Sequence, residues 1–119
     1  MLIMDETARK HLCDIEVAAA LIRGFVAGSD VTSYESDDMI RSSVERQLQV
    51  IGTAVKHIGR GDDSLGSKLP GGERFAEVAE MLDDPFGEVS TELTWGLATE
   101  LLDPIADAAT ELIESSQPA

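Results

Sequence analysis

The chain has 119 residues, with 23 Asp and Glu against nine Lys and Arg and a formal net charge of −14 at pH 7. That length predicts one domain over residues 1–119, burying roughly two-thirds of its unfolded surface and needing no staples. The one cysteine, Cys13, leaves no internal disulfide, and no apolar run reaches the ~20 residues of a membrane span. A reduced, cytoplasmic protein without membrane contact is expected.

The charge is uneven. Residues 1–60 carry seven cations and nine acids, whereas residues 61–119 carry two cations, Lys68 and Arg74, and fourteen acids. So anionic a second half repels phosphate backbones. Any nucleic-acid contact has to use the cations of the first half, or Lys68 and Arg74.

In chain order, Ala8, Leu12, Ile15, Ala19, Ile22 and Val26 step by four and three, the spacing of one apolar helix face. Gly28 ends that helix. Ser36, Asp37 and Asp38 supply cap and first-turn acids for a second helix, with Ile40, Val44, Leu48, Ile51, Val55 and Ile58 inward. Gly52 lies inside it and predicts close approach of a neighbouring helix. A breaker-rich stretch, "GRGDDSLGSKLPGG" over 59–72, leads to a shorter third helix with Phe75, Val78 and Leu82 on one face. "DDPFGE" breaks that helix. The last one runs from about Glu88, with Val89, Leu93, Leu97, Leu101, Ile105, Ala108 and Leu112 inward, and Pro104 predicts a kink. No strand-like alternation is present, so the expected fold is all-α, an up-and-down bundle of four main helices.

Chemistry-bearing residues are few. "GDDSLGSK" has a phosphate loop's glycine spacing, but Ser67 and Lys68 are in the wrong order and Asp62 and Asp63 repel phosphate. His11 and His57 lie on different helices and read as boundary residues. No Cys, His or Asp cluster has metal-ligand spacing, so no metal or cofactor is expected. Cys13 reads as a packing residue and Trp95 as a core or boundary residue. Arg74 is the remaining candidate, a lone arginine behind Gly71 and Gly72, with Glu77 three residues on as its expected ion-pair partner.

The stretch "DDMIRSSVERQLQVIGTAVKHI", preceded by "ARKHLCDIEVAAALIRGFVAG", resembles the HepT-like branch of the HEPN superfamily. In that branch the second helix typically reads A-V-x-R-x-L-x-I-I-G-E-A-x-K. Val44, Arg46, Leu48, Ile51, Gly52, Ala54 and Lys56 match it, and Thr53 stands where the family has glutamate. The resemblance covers residues 8–60, and the last helix adds a looser likeness through Trp95 and Pro104. It implies a homodimer and a metal-independent ribonuclease toxin, controlled by a minimal nucleotidyltransferase antitoxin. The family's motif is commonly R-N-x-x-x-H-x-Y. Its arginine would hold the scissile phosphate, and its histidine would act as general acid or base.

Two registers bring that motif to this chain. The first matches Gly72 and Arg74 but leaves Phe75, Ala79 and Met81 where Asn, His and Tyr belong. The second, anchored on "FGEVSTELTW", puts Val78, Ala79, Asp83 and Pro85 at the Arg, Asn, His and Tyr positions. Neither supplies the histidine. The expected function is therefore a degenerate, non-catalytic dimer that binds a partner protein such as a nucleotidyltransferase. The alternative is an active ribonuclease toxin using Arg74 and neutralised by that antitoxin, and only then is RNA a partner. Leu21 and Phe25, off the main stripe of the first helix, are the expected dimer contacts.

Overall fold

A computed structural model of the protein describes residues 2–118. The order is β1 (Leu2–Met4), α1 (Glu6–Val26), α2 (Val31–Ser36), α3 (Asp38–Gly61), α4 (Asp63–Gly66), α5 (Gly72–Asp83), α6 (Thr91–Gly96), a π-helical turn (Leu97–Leu101), α7 (Leu102–Glu114) and β2 (Ser116–Pro118). The all-α class holds. The four expected helices are α1, α3, α5 and the composite α6–π–α7.

Asp5 caps α1, its carboxylate accepting from the Ala8 N–H at 2.7 Å, and Glu6 lies in the first turn. The expected stripe buries Leu12, Ile15, Ala19 and Ile22. Asp37 caps α3 by accepting from the N–H groups of Met39 and Ile40, and α3 buries Val44, Leu48, Ile51 and Ile58. α3 is the central element, packing most extensively on α5 and α1, while α7 covers the other side of α1. Arg23 ties α1 to the start of α7 through the Asp103 carboxylate, at 2.8 and 3.0 Å.

Three features depart from the sequence expectation. The connections contain short helices: α2 starts from a reciprocal capping box between Asp30 and Ser33, and Asp62 caps α4 by accepting from the Leu65 N–H. α2 sends Tyr34 into the core, where its hydroxyl shares a 2.7 Å hydrogen bond with the Thr94 hydroxyl. The second departure is a short parallel strand pair, Leu2 opposite Ser116 through Met4 opposite Pro118. Arg9 donates to Ser116 Oγ at 2.6 Å beside it.

The third departure is in the last helix. It begins at Thr91 rather than Glu88, capped by the Ser90 hydroxyl. The break near Pro104 is a π turn over Leu97–Leu101, just before the proline. Proline cannot donate to the carbonyl four residues back and its ring crowds that carbonyl. A π turn widens the helix there and inserts one residue. The inserted residue rotates the face, so Leu97 and Leu102 are both buried and Leu101 is only partly covered.

Candidate functional site

Gly71 has φ of 74°, a left-handed conformation suited to glycine, and its carbonyl accepts from the N–H groups of Arg74 and Phe75 at 3.0 and 3.3 Å. This turn starts α5 and fixes its rotation. Phe75, Val78 and Ala79 then face α3 and are buried, which leaves Arg74 exposed on the far side. Gly52 of α3 makes the approach possible. A Cβ there would overlap the Phe75 carbonyl oxygen and lie 2.5 Å from the Ala79 Cβ.

Arg74 lines a cleft of about 310 Å³ with Glu92, Leu93, Gly96, Leu97, Glu100 and Leu101, between α5, α6 and the π turn. One cation faces two carboxylates there, an unfavourable setting for a phosphodiester. The expected Arg74–Glu77 ion pair is absent among the described residues; the α5 acid that pairs is Glu80, with Lys56 of α3 at 3.4 Å. Arg74 thus shares its cleft with acids from α6 and the π turn, a tertiary arrangement that helix spacing does not show.

Both motif registers put two of their positions on the buried face of α5. Phe75 and Ala79, the Asn and His positions of the first, are fully buried, while Met81 is 40 % exposed. In the second, Val78 and Ala79 are buried, and Asp83 is exposed at the end of α5, accepting from the Gln49 amide at 2.8 Å.

The histidines lie elsewhere, together. His11 near the start of α1 and His57 near the end of α3 stack with centroids 4.9 Å apart and planes 7° from parallel. Their residue spacing on separate helices gave no sign of contact; the signal was that each stands near the same end of a helical hairpin. Burial, then the neighbouring His57 and Lys10, holds the His11 imidazole below its ordinary pKa, and Asp14 and Asp5 pull it the other way. The Asp14 carboxylate is 3.8 Å from His11 Nδ1. Among the described residues no group of three His, Cys, Asp or Glu is placed to hold a metal ion. Cys13 is a free thiol, half-buried, and Trp95 is half-buried with its ring 5.1 Å from Tyr34. No helix among the described residues is long and apolar enough to cross a membrane.

The bundle is centred on an α1–α3 hairpin, with α5 laid across a glycine of α3, as the helical spacing and the interior Gly52 led one to expect. A family model described as ribonuclease HepT-like matches residues 15–84, from the middle of α1 through the end of α5. The match spans more than half of the chain, so the protein belongs to the ribonuclease HepT-like family of the HEPN superfamily. No curated protein and no solved structure matches it.

Proposed function

We propose that this chain is a degenerate, non-catalytic member of its family. In this reading residues 1–119 act as one helical domain, a cytoplasmic homodimer that binds a partner protein. The partner class that the family resemblance implies is a minimal nucleotidyltransferase. One observation carries the reading: Arg74 shares its cleft with Glu92 and Glu100, while both histidines stack across the α1–α3 seam. Metal-independent RNA cleavage needs a proton donor or acceptor within hydrogen-bond reach of the reacting oxygens. Arginine supplies charge but no proton transfer, since its guanidinium stays protonated, and Glu92 and Glu100, which could accept a proton, repel the phosphodiester instead. The lone thiol of Cys13 fits a reducing compartment.

Expression of the native chain in a bacterial host is expected to leave growth unchanged. Growth arrest that Arg74→Ala relieves would instead establish the ribonuclease toxin.

The dimer reading rests on the outer face of α1. Val17 is 61 % exposed and Leu21 43 %, with Ala20 and the open Gly24 beside them, two turns of exposed surface without charge. Phe25, the other expected contact, is half-buried against the chain's own core, so Leu21 and Val17 are the better anchors. Such a face is complementary to itself across a two-fold axis. Light scattering at about tens of micromolar, where a specific interface holds, is expected to give twice the chain mass, and Leu21→Glu to give the monomer. A monomeric native chain would overturn the dimer.

A further inference from the structure

The stacked histidines divide the α1–α3 seam into two unlike sides. On one is a cleft of about 280 Å³ containing Asp5 and Asp62, both already accepting helix-capping hydrogen bonds. On the other is a cleft of about 250 Å³ lined by Lys10, His11, Asp14, Arg46, Gln49, Thr53 and His57 among others. Arg46, Gln49, Thr53 and His57 recur at helical spacing and so share one face of α3.

The charges of this second cleft are sorted. Its one carboxylate, Asp14, is paired with Lys10 at 3.2 Å. Arg46 is exposed and has no carboxylate partner among the described residues. Gln49 spends its amide on Asp83, which leaves the exposed Thr53 hydroxyl as a neutral donor between Arg46 and His57. In a chain of net charge −14 this is a pocket with one Lys10–Asp14 ion pair, one guanidinium without a carboxylate partner among the described residues and two imidazoles.

We propose that this cleft is an oxyanion site for a phosphate group, gripped by the Arg46 guanidinium with the Lys10 ammonium beside it, and with the His11 imidazole as a protonatable donor. A guanidinium matches two phosphate oxygens at once, and the ammonium adds a point charge. The groups facing the stack are Asp5, Lys10 and Asp14 from α1 and its cap, Arg46 from α3 and Asp62 from the α4 cap; β1 brings only Ile3 and Met4. With His11 held below its ordinary pKa, the ring is neutral at pH 7 and gains its charge on acidification. A bound phosphate favours the charged ring, but inorganic phosphate itself passes from dianion to monoanion over the same pH range, so the coupling shows in the ring's titration midpoint and not in a simple rise of affinity. By reciprocity the ligand raises the titration midpoint of His11. The site lies between α1 and α3, not in the Arg74 cleft, so it stands whether or not Arg74 catalyses.

The test follows the imidazole C–H resonances by NMR while inorganic phosphate is added at constant ionic strength, between about pH 7.5 and about pH 6. Both histidine resonances are expected to move saturably, and the His11 midpoint to rise. Arg46→Ala and Thr53→Glu alter exposed positions and keep the fold; the first removes the guanidinium and the second sets a carboxylate beside it. Either is expected to abolish the response. A parallel titration with a short single-stranded RNA distinguishes the sources: saturation by inorganic phosphate identifies a free phosphate or phosphomonoester, and saturation by RNA alone a backbone phosphate. Resonances unmoved by both probes, or moved equally in Arg46→Ala, would overturn the site.

Discussion

Gly52→Ala is expected to lower stability by about 2–4 kcal/mol, a large share of the roughly 5–15 kcal/mol that holds a domain of this kind. The new methyl meets the Phe75 carbonyl and the Ala79 Cβ, atoms of an adjacent helix that no rotamer change can move. α3 and α5 must separate, and the fully buried Phe75 then loses contacts along the most extensive helix pair of the bundle. Alanine's better helix propensity returns only about 1 kcal/mol. Gly59→Ala, on the same helix with no atom within 4 Å of the added Cβ, keeps that gain without the clash. It is expected to raise stability by about 0.5–1 kcal/mol. Thermal melts of the two variants should move in opposite directions; an unchanged melt in Gly52→Ala would mean that the helices are not in backbone contact.

The second large effect concerns rebuilding the family motif around Arg74. Phe75→Asn, Ala79→His and Met81→Tyr together restore the residue types in the first register, and the triple variant is expected not to fold. Phe75 and Ala79 are both fully buried. Removing the Phe75 ring costs about 3–5 kcal/mol, and an unpaired buried amide adds about 1–3 kcal/mol. A histidine at 79 must also find room beside Gly52, where a single methyl does not fit. Both sites press on the same glycine, so the costs will not add cleanly, but their size matches the whole stability of a small domain. Met81→Tyr alone, at a position 40 % exposed, is expected to stay within about 1 kcal/mol of the native chain. Circular dichroism decides. A triple variant with native helicity that cleaves RNA would show that α5 can rotate to present these positions, and that the site was merely worn.

What could be read from the sequence was local. The stripes of α1 and α3 follow from spacing, and Gly52 announced its contact because an interior helical glycine is costly without a packing reason. The Arg74 turn was visible in Gly71 and Gly72. The rest depended on distant parts of the chain. One residue inserted by the π turn exchanged Leu101 for Leu102 as the core residue, which a uniform helical period cannot register. The strand pair joins segments more than a hundred positions apart through backbone hydrogen bonds, which leave little mark on side-chain pattern. α2 and α4, of six and four residues, are too short to show a period, and their caps, Asp30 with Ser33 and Asp62, were not read from the sequence. The His11–His57 stack and the glutamates facing Arg74 needed the helices to be docked first.

The central claim is that Arg74 has no histidine beside it to transfer protons, only carboxylates that repel RNA, and the most direct measurement is cleavage of tRNA and mRNA by the purified chain in parallel with Arg74→Ala. Loss of general acid–base catalysis alone is typically worth about 10²–10⁴ in rate, and the acids lining the cleft further disfavour RNA binding. The native chain is expected to leave both RNAs intact and to be indistinguishable from Arg74→Ala over the full incubation. Cleavage by the native chain that disappears in Arg74→Ala would contradict the account.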